Sequence, residues 1–216
     1  MLGIIRVITL QNDEDIHKHG SLIEAKYGLP VLSRCIPEQS LGVYDEETEA
    51  ESVPKILSLA IELERLGCSA IGISCAADPA LAETRKVVRI PVYGAGSCAA
   101  HLALTSSNRV GVLTILEEVP TRIRSILGDA YIGMDRPEGV VTTVDLNTPS
   151  GKRAALDAGM RLRERGADSI VLACTGFATM GFASIAEQEL GIRVLDPILS
   201  LGAAVSASCS DASVQT

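Results

Sequence analysis

The chain contains 216 residues, of which 47% are hydrophobic but only 3% aromatic, and its 27 acidic and 19 basic side chains give a net charge of −8. An acidic chain repels the phosphate backbone of nucleic acids, and a chain without tryptophan has few of the aromatic faces on which single-stranded bases stack. We therefore expect a folded protein with a small-molecule substrate and no nucleic-acid partner.

Short β-branched segments alternate with longer amphipathic segments from one end of the chain to the other. Strands are predicted at Ile4–Leu10, Pro30–Ile36, Ser69–Ser74, Ile90–Tyr93, Arg109–Thr114, Gly139–Val144, Ser169–Ala173 and Ile192–Leu195. Helices are predicted at Asp13–Tyr27, Glu46–Leu66, Pro79–Val88, Ser97–Thr105, Glu117–Leu127, Ser150–Arg165, near Thr179–Leu190 and at Pro197–Ala207. Because helical crossovers join parallel strands, this alternation predicts an α/β fold made of βαβ units. The last residues, Cys209–Thr216, are expected to fray.

The second half of the chain repeats the pattern of the first. Gly67–Cys75 and Gly166–Cys174 each follow a helix, form an apolar strand and end on a cysteine, 99 residues apart. An internal duplication explains this shared register. We predict two pseudo-symmetric lobes, each with a mostly parallel sheet flanked by helices, and an active site in the cleft between them. The boundaries are predicted at residues 1–96 plus 197–216 for the first lobe and 97–196 for the second.

The six cysteines of the chain form no C-x-x-C pair; they are Cys35, Cys68, Cys75, Cys98, Cys174 and Cys209. The three histidines do not lie at zinc-finger spacing from any of them, so we expect no metal site. Unpaired thiols are typical of a cytoplasmic protein. The N-terminal residues do not resemble a secretory signal, and the longest uncharged stretches contain too many small and turn residues to be membrane spans, so no membrane partner is expected.

Two of the cysteines, Cys75 and Cys174, follow buried strands at the edge of a parallel sheet where ligands usually bind. A thiol that faces a helix N-terminus has a lowered pKa, and we expect this for both. If the two thiols lie on opposite sides of one substrate carbon, one thiolate can remove a proton while the other thiol delivers a proton to the opposite face. This pattern predicts a catalytic pair that inverts a stereocentre, whereas the other four cysteines are assigned to packing.

A glycine-rich turn lies in the middle of the chain, and the three histidines lie in two of the predicted helices. Gly94-Ala-Gly96-Ser-Cys-Ala99 follows a strand, opens a helix and matches G-x-G-x-x-A, the pattern of a dinucleotide-binding turn. A tight turn whose small residues allow close helix packing gives the same pattern. His17 and His19 are predicted on an exposed helix end, and His101 in a helix core.

Three segments resemble the aspartate/glutamate/hydantoin racemase superfamily, and in appearance hydantoin and allantoin racemases most of all. They are Ile73–Leu81 around Cys75, Ile90–Gly96, and Ala173–Phe177 around Cys174. The resemblance extends over nearly the whole chain. It implies two α/β lobes, proton transfer by the two cysteines without any cofactor, and a homo-oligomeric assembly.

The same resemblance implies which groups hold the substrate. Backbone N–H groups just after each cysteine would bind a carboxylate or a cyclic imide; they belong to Ala76, Ala77, Thr175 and Gly176. Side chains at the end of each lobe's first strand would complete the pocket, which points to Gln11 and Thr114. The family's Asn-Pro-Asn-Thr type loop is replaced here by Thr9–Asp13, so Gln11 or Asn12 would supply the hydrogen-bond donors.

The sequence thus predicts an isomerase, a hydantoin racemase-like enzyme that acts on a hydantoin-like compound or an acidic amino acid without a cofactor. Two alternatives stay open. Related enzymes of the superfamily use cysteine for decarboxylation or for cis–trans isomerisation, and the Gly94–Gly96 turn would suit an NAD-binding module.

Overall fold

The computed structural model describes residues 1–208, which contain two four-stranded sheets whose strands are all parallel. The first sheet contains β1 (Leu2–Arg6), β2 (Val31–Cys35), β3 (Ala70–Ser74) and β4 (Val92–Gly94), in the order β2-β1-β3-β4. The second contains β5 (Val110–Leu113), β6 (Tyr131–Asp135), β7 (Ser169–Leu172) and β8 (Arg193–Leu195), in the order β6-β5-β7-β8. The two sheets share one strand order, which agrees with the predicted duplication and confirms the α/β fold class.

Helices connect the strands throughout. They are α1 (Asp13–Tyr27), α2 (Glu46–Arg65), α3 (Leu81–Val87), α4 (Ala95–Leu104), α5 (Thr121–Leu127), α6 (Thr143–Leu146), α7 (Pro149–Glu164), α8 (Gly176–Thr179), α9 (Phe182–Leu190) and α10 (Pro197–Ser208). The ends of α1 show why local sequence predicts such boundaries well. The Asn12 side chain accepts a hydrogen bond from the backbone N–H of Glu14, and Gly28 ends the helix in the left-handed conformation, at φ 67°.

The described residues form two compact units. The first contains Met1–Ser74, Pro79–Gly94 and residues 198–208, and the second contains Cys75–Asp78 and Ala95–Pro197. The turn Cys75–Asp78 therefore groups with the second unit, although the residues on both sides of it belong to the first. This turn contains Cys75, one of the two predicted catalytic residues.

Each unit has its own apolar core. In the first, Ile4 and Ile5 of β1 and Ile71 and Ile73 of β3 are completely buried. In the second, the rings of Phe177 and Phe182 lie 5.1 Å apart within a cluster of buried residues from β5, α7, β7 and α9. Strands that are buried on both faces require near-continuous apolar sequence, which is what made β3 and β7 recognisable.

The strand predicted at Gly139–Val144 is wrong. The strand that pairs with β5 is Tyr131–Asp135, and residues from Thr143 on form the short helix α6. A capping box explains the difference, because the Thr142 hydroxyl accepts from the Asp145 N–H while the Asp145 carboxylate accepts from the Thr142 N–H. These local bonds start a helix within a run of β-branched residues that otherwise favours a strand.

Two helix predictions need smaller corrections. Helix α5 begins at Thr121 rather than at Glu117. The helix expected near Thr179–Leu190 begins at Phe182, after Gly181, which has φ 61°, and the short helix α8 precedes it. The expectation for Cys209–Thr216 lies outside the described residues. None of the helices within residues 1–208 is long and apolar enough to cross a membrane.

Candidate active site

Cys75 lies directly after β3, where the chain leaves the first unit for four residues. Its side chain is half-buried, and the next residue, Ala76, is only 3% exposed. Ala76 belongs to one apolar cluster with Ala99 and Ala100 of α4 and with Ala173, the residue before Cys174. The immediate neighbours of the two predicted catalytic cysteines thus share one core in the second unit.

The turn after Cys75 is closed by Asp78. The Asp78 N–H donates to the Cys75 carbonyl over 3.1 Å. The Asp78 carboxylate accepts from the backbone N–H groups of Gly96 (2.9 Å) and Ser97 (2.6 Å), and also from the Ser97 hydroxyl. Burial raises the pKa of Asp78 to about 6, although these hydrogen bonds and the positive charge of Arg122 act in the opposite direction. Asp78 lies within the segment Ile73–Leu81 that resembles the family, but the sequence pattern assigns it no role.

The first turn of α4 packs tightly against the Cys75 turn. A Cβ atom on Gly96 would lie 2.0 Å from the carbonyl oxygen of Ala76, so no larger residue fits there without movement. The N–H groups of Gly96 and Ser97, which a pyrophosphate would need, are already bound to Asp78. The geometry therefore favours the packing interpretation of the Gly94–Ala99 turn over dinucleotide binding.

Cys174 occupies the equivalent position after β7 and is also half-buried. Its Sγ accepts a hydrogen bond from the Gly176 N–H over 3.4 Å. Burial nevertheless raises the pKa of the Cys174 thiol to about 11, since that single bond offsets only part of the desolvation. The predicted lowering of its pKa is wrong, because α8 is only four residues long and burial outweighs its N-terminal dipole. At neutral pH, Cys174 is a protonated thiol.

The segment after Cys174 depends on a glycine. A Cβ atom on Gly176 would lie 2.7 Å from Cγ2 of Thr143 and 3.4 Å from the Cys174 sulfur. Thr175 is half-buried, and its carbonyl accepts from the Ala178 N–H to begin α8. Ala76, Ala77, Thr175 and Gly176 all lie in the second unit together with the two cysteines.

The two side chains predicted at the ends of the first strands of the lobes differ in accessibility. Gln11 is exposed in the loop between β1 and α1, whereas the neighbouring Asn12 uses its side chain to cap α1. Of these two, Gln11 is thus the side chain left for a ligand. Thr114 follows β5 and is completely buried, and its hydroxyl accepts from the Leu116 N–H over 3.1 Å.

The predictions for His19 and His101 are reversed by the structure, whereas the His17 side chain is 44% exposed, as predicted. His19 is 1% exposed, and its Nδ1 lies 2.7 Å from the hydroxyl of Ser74, the residue before Cys75. Burial, together with the positive charges of Arg6 and Lys18, holds the pKa of His19 well below its usual range. His101, by contrast, is exposed on α4. The buried face of a helix is predicted from its apolar residues, so the burial of a single histidine on that face could not be predicted from the sequence.

Comparison with known proteins gives a family match. The model of the family described as Asp/Glu/Hydantoin racemase matches residues 31–205. A curated hydantoin racemase from Rhizobium meliloti is 30% identical over 158 residues, which are 69% of this chain and 64% of that protein. The alignment thus spans slightly less than two thirds of that relative's length.

Solved structures share the fold. The allantoin racemase from Klebsiella pneumoniae has a TM-score of 0.82 at 21% identity, over 95% of this chain and 86% of that chain. An arylmalonate decarboxylase has a TM-score of 0.65 at 16% identity, over 99% of this chain and 94% of that chain. At these identities the likeness establishes the fold alone.

Proposed function

The chain belongs to the Asp/Glu/hydantoin racemase family, and from this premise we propose that it is a cofactor-independent racemase whose proton transfers are carried out by Cys75 and Cys174. The substrate is a small amino-acid-derived compound, either hydantoin-like or an acidic amino acid. The observation that carries the proposal is the pair of half-buried thiols that follow the equivalent strands β3 and β7 and belong to one compact unit.

The proposed reaction moves one proton on each face of the substrate carbon. The Cys75 thiolate takes the proton from the stereocentre, so that the C–H bond breaks and an S–H bond forms. The Cys174 thiol then gives its proton to the opposite face, which leaves Cys174 as the thiolate. The high pKa of Cys174 suits its role as the initial proton donor. The opposite enantiomer uses the two groups in reversed roles.

The substrate's carboxylate or imide oxygens are expected to bind the backbone N–H groups of Ala76, Ala77 and Thr175, and also that of Gly176, which would be shared with the Cys174 sulfur to which it donates. Gln11 and Thr114 are the proposed side-chain contributors from the two first strands. Amide donors suit both a carboxylate and a cyclic imide, because hydrogen bonds from N–H groups stabilise negative charge on oxygen. The assembly as a homo-oligomer and the cytoplasmic location are further parts of the proposal.

A second candidate is cysteine-dependent decarboxylation, the activity named for a solved structure that shares this fold, an arylmalonate decarboxylase. Decarboxylation needs one cysteine to protonate the carbanion that is left after carbon dioxide departs. A second thiol at the equivalent strand end would then have no role. The presence of both Cys75 and Cys174 therefore favours racemisation.

The test is polarimetry on a panel of D- and L-hydantoins, allantoin, aspartate and glutamate, with the Cys75→Ser/Cys174→Ser double variant as the blank. We expect one of these compounds to lose optical activity with the wild-type protein. Each single variant, Cys75→Ser or Cys174→Ser, should lose inversion, since general acid–base groups contribute about 10²–10⁴-fold. Normal racemisation by both single variants would exclude the two-cysteine mechanism, and carbon dioxide release from a malonate would support the second candidate.

A further inference from the structure

The turn Cys75–Asp78 directly follows β3 of the first unit but makes its hydrogen bonds and apolar contacts within the second unit. Residues up to Ser74 and the segment Pro79–Gly94 belong to the first unit, while the four residues between them group with α4 and β7 in the second. The position of the Cys75 turn therefore depends on contacts within the second unit as well as on the strand that precedes it. A side chain that bonds the turn to the rest of the second unit would hold it in place.

Asp78 provides that attachment. Its carboxylate accepts three hydrogen bonds from the first turn of α4, and its N–H closes the turn back onto the Cys75 carbonyl. The side chain is 4% exposed, so these bonds replace the water that a carboxylate normally binds. The N-terminus of the ten-residue helix α4 also stabilises the negative charge.

The backbone around Asp78 is strained, which implies that the surrounding contacts impose this conformation. Asp78 and Ala80 have φ values of 55° and 54°, in the left-handed region that non-glycine residues rarely adopt. Such residues persist only where neighbouring interactions determine their conformation, and they cluster at functional sites. For Asp78, those interactions are the hydrogen bonds that its carboxylate accepts from Gly96 and Ser97.

We propose that Asp78 is a positioning residue that sets where the Cys75 sulfur lies relative to Cys174, by tying the Cys75 turn to the first turn of α4. The kinetic consequence rests on the proposed racemase function, whereas the structural consequence does not. Asparagine cannot replace Asp78 fully, because its amide NH₂ would face an N–H donor where a carboxylate oxygen now accepts.

The kinetic test compares Asp78→Asn with a matched variant, Asp45→Asn. Asp45 is also a helix-capping aspartate, but it starts α2 in the first unit and is fully exposed. We expect Asp78→Asn to lower kcat about 10- to 100-fold, because a displacement of about 1 Å in a reacting group has effects of that size. KM should change much less than kcat, and Asp45→Asn should leave both constants at wild-type values.

A milder variant keeps the test valid if Asp78→Asn is unstable. Ser97→Ala removes one donor and leaves the carboxylate with its two backbone bonds, so kcat should fall by a smaller factor than in Asp78→Asn. The pH profile gives a third readout. The wild-type kcat should fall as the pH drops through about 6, because Asp78 takes up a proton there. The positive charge of Arg122 acts on the Asp78 carboxylate and favours its charged form. That inflection should be missing in Asp78→Asn.

A measurement without substrate separates this proposal from the proposed function. Iodoacetamide labelling followed by mass spectrometry gives the alkylation rates of Cys75 and Cys174 in one sample. Release of the turn should raise the Cys75 rate in Asp78→Asn and leave the Cys174 rate unchanged, whether or not any substrate has been found. A folded Asp78→Asn protein with an unchanged Cys75 rate and, on an active substrate, an unchanged kcat would overturn the proposal.

Discussion

Replacement of Gly96 by alanine tests how closely α4 packs on the Cys75 turn. The added Cβ would lie 2.0 Å from the Ala76 carbonyl oxygen and 2.9 Å from its carbonyl carbon. A carbon–oxygen contact needs about 3.3 Å, so α4 or the turn must move by about 1.3 Å. Both neighbours are backbone, and no side-chain rotation relieves the contact.

The expected cost follows from this displacement. Overpacking of a tight interior costs about 1–3 kcal/mol, against which alanine regains less than about 1 kcal/mol of helix propensity near the start of α4. For a chain of this size, each kcal/mol corresponds to about 2–4 °C in Tm. We therefore expect Gly96→Ala to lower Tm by several degrees and to raise the alkylation rate of Cys75.

The matched control is Gly159→Ala in α7. Its Cβ would also be close to a neighbour, at 2.9 Å, but that neighbour is Cδ1 of Leu190, the end of a side chain that can rotate. Its free energy of unfolding should change by less than about 1 kcal/mol in either direction. Urea unfolding followed by circular dichroism measures both variants. Equal stability of Gly96→Ala and the wild type would refute the packing argument.

Two further predictions concern titration. His19 has a lowered pKa in the folded state, so the unfolded chain binds more protons than the folded protein below about pH 6.5. The stability contributed by neutral His19 is therefore lost as the pH falls below this value. The loss is up to about 1.4 kcal/mol in the free energy of unfolding per pH unit. The wild type should therefore lose stability relative to His19→Asn between pH 6.5 and 5.5, and parallel unfolding curves for the two proteins would contradict this. For Cys174, whose pKa is about 11, alkylation should accelerate about tenfold per pH unit between pH 7 and 10; a plateau below pH 9 would show that its pKa is not raised.

Local sequence was sufficient wherever a structural element is specified by its own residues. The bounds of α1 were predicted correctly because Asn12 and Gly28 cap it. Strands β3 and β7 are recognisable because both are short apolar runs that lie between a glycine and a cysteine. The α/β class follows from this alternation, since parallel strands require helical crossovers, whereas the strand order shared by the two sheets is shown only by the structure.

Local sequence failed where two signals competed. The run of valines and threonines before Val144 favours a strand, but the capping box between Thr142 and Asp145 starts α6 instead. The actual partner of β5 is Tyr131–Asp135, a half-buried strand with a glycine in its centre. Such a strand lacks the apolar continuity that identified the others.

The sequence by itself determined the α/β architecture, its duplication and the pair of cysteines at equivalent strand ends. Only the tertiary structure decided that the Cys75 turn is bound to α4 through Asp78, that His19 is buried beside Ser74, and that Cys174 is a high-pKa thiol. The physical reason is the same in each case. Burial and hydrogen-bond partners depend on residues that are distant in the chain, and desolvation of a charged group is set by everything packed around it.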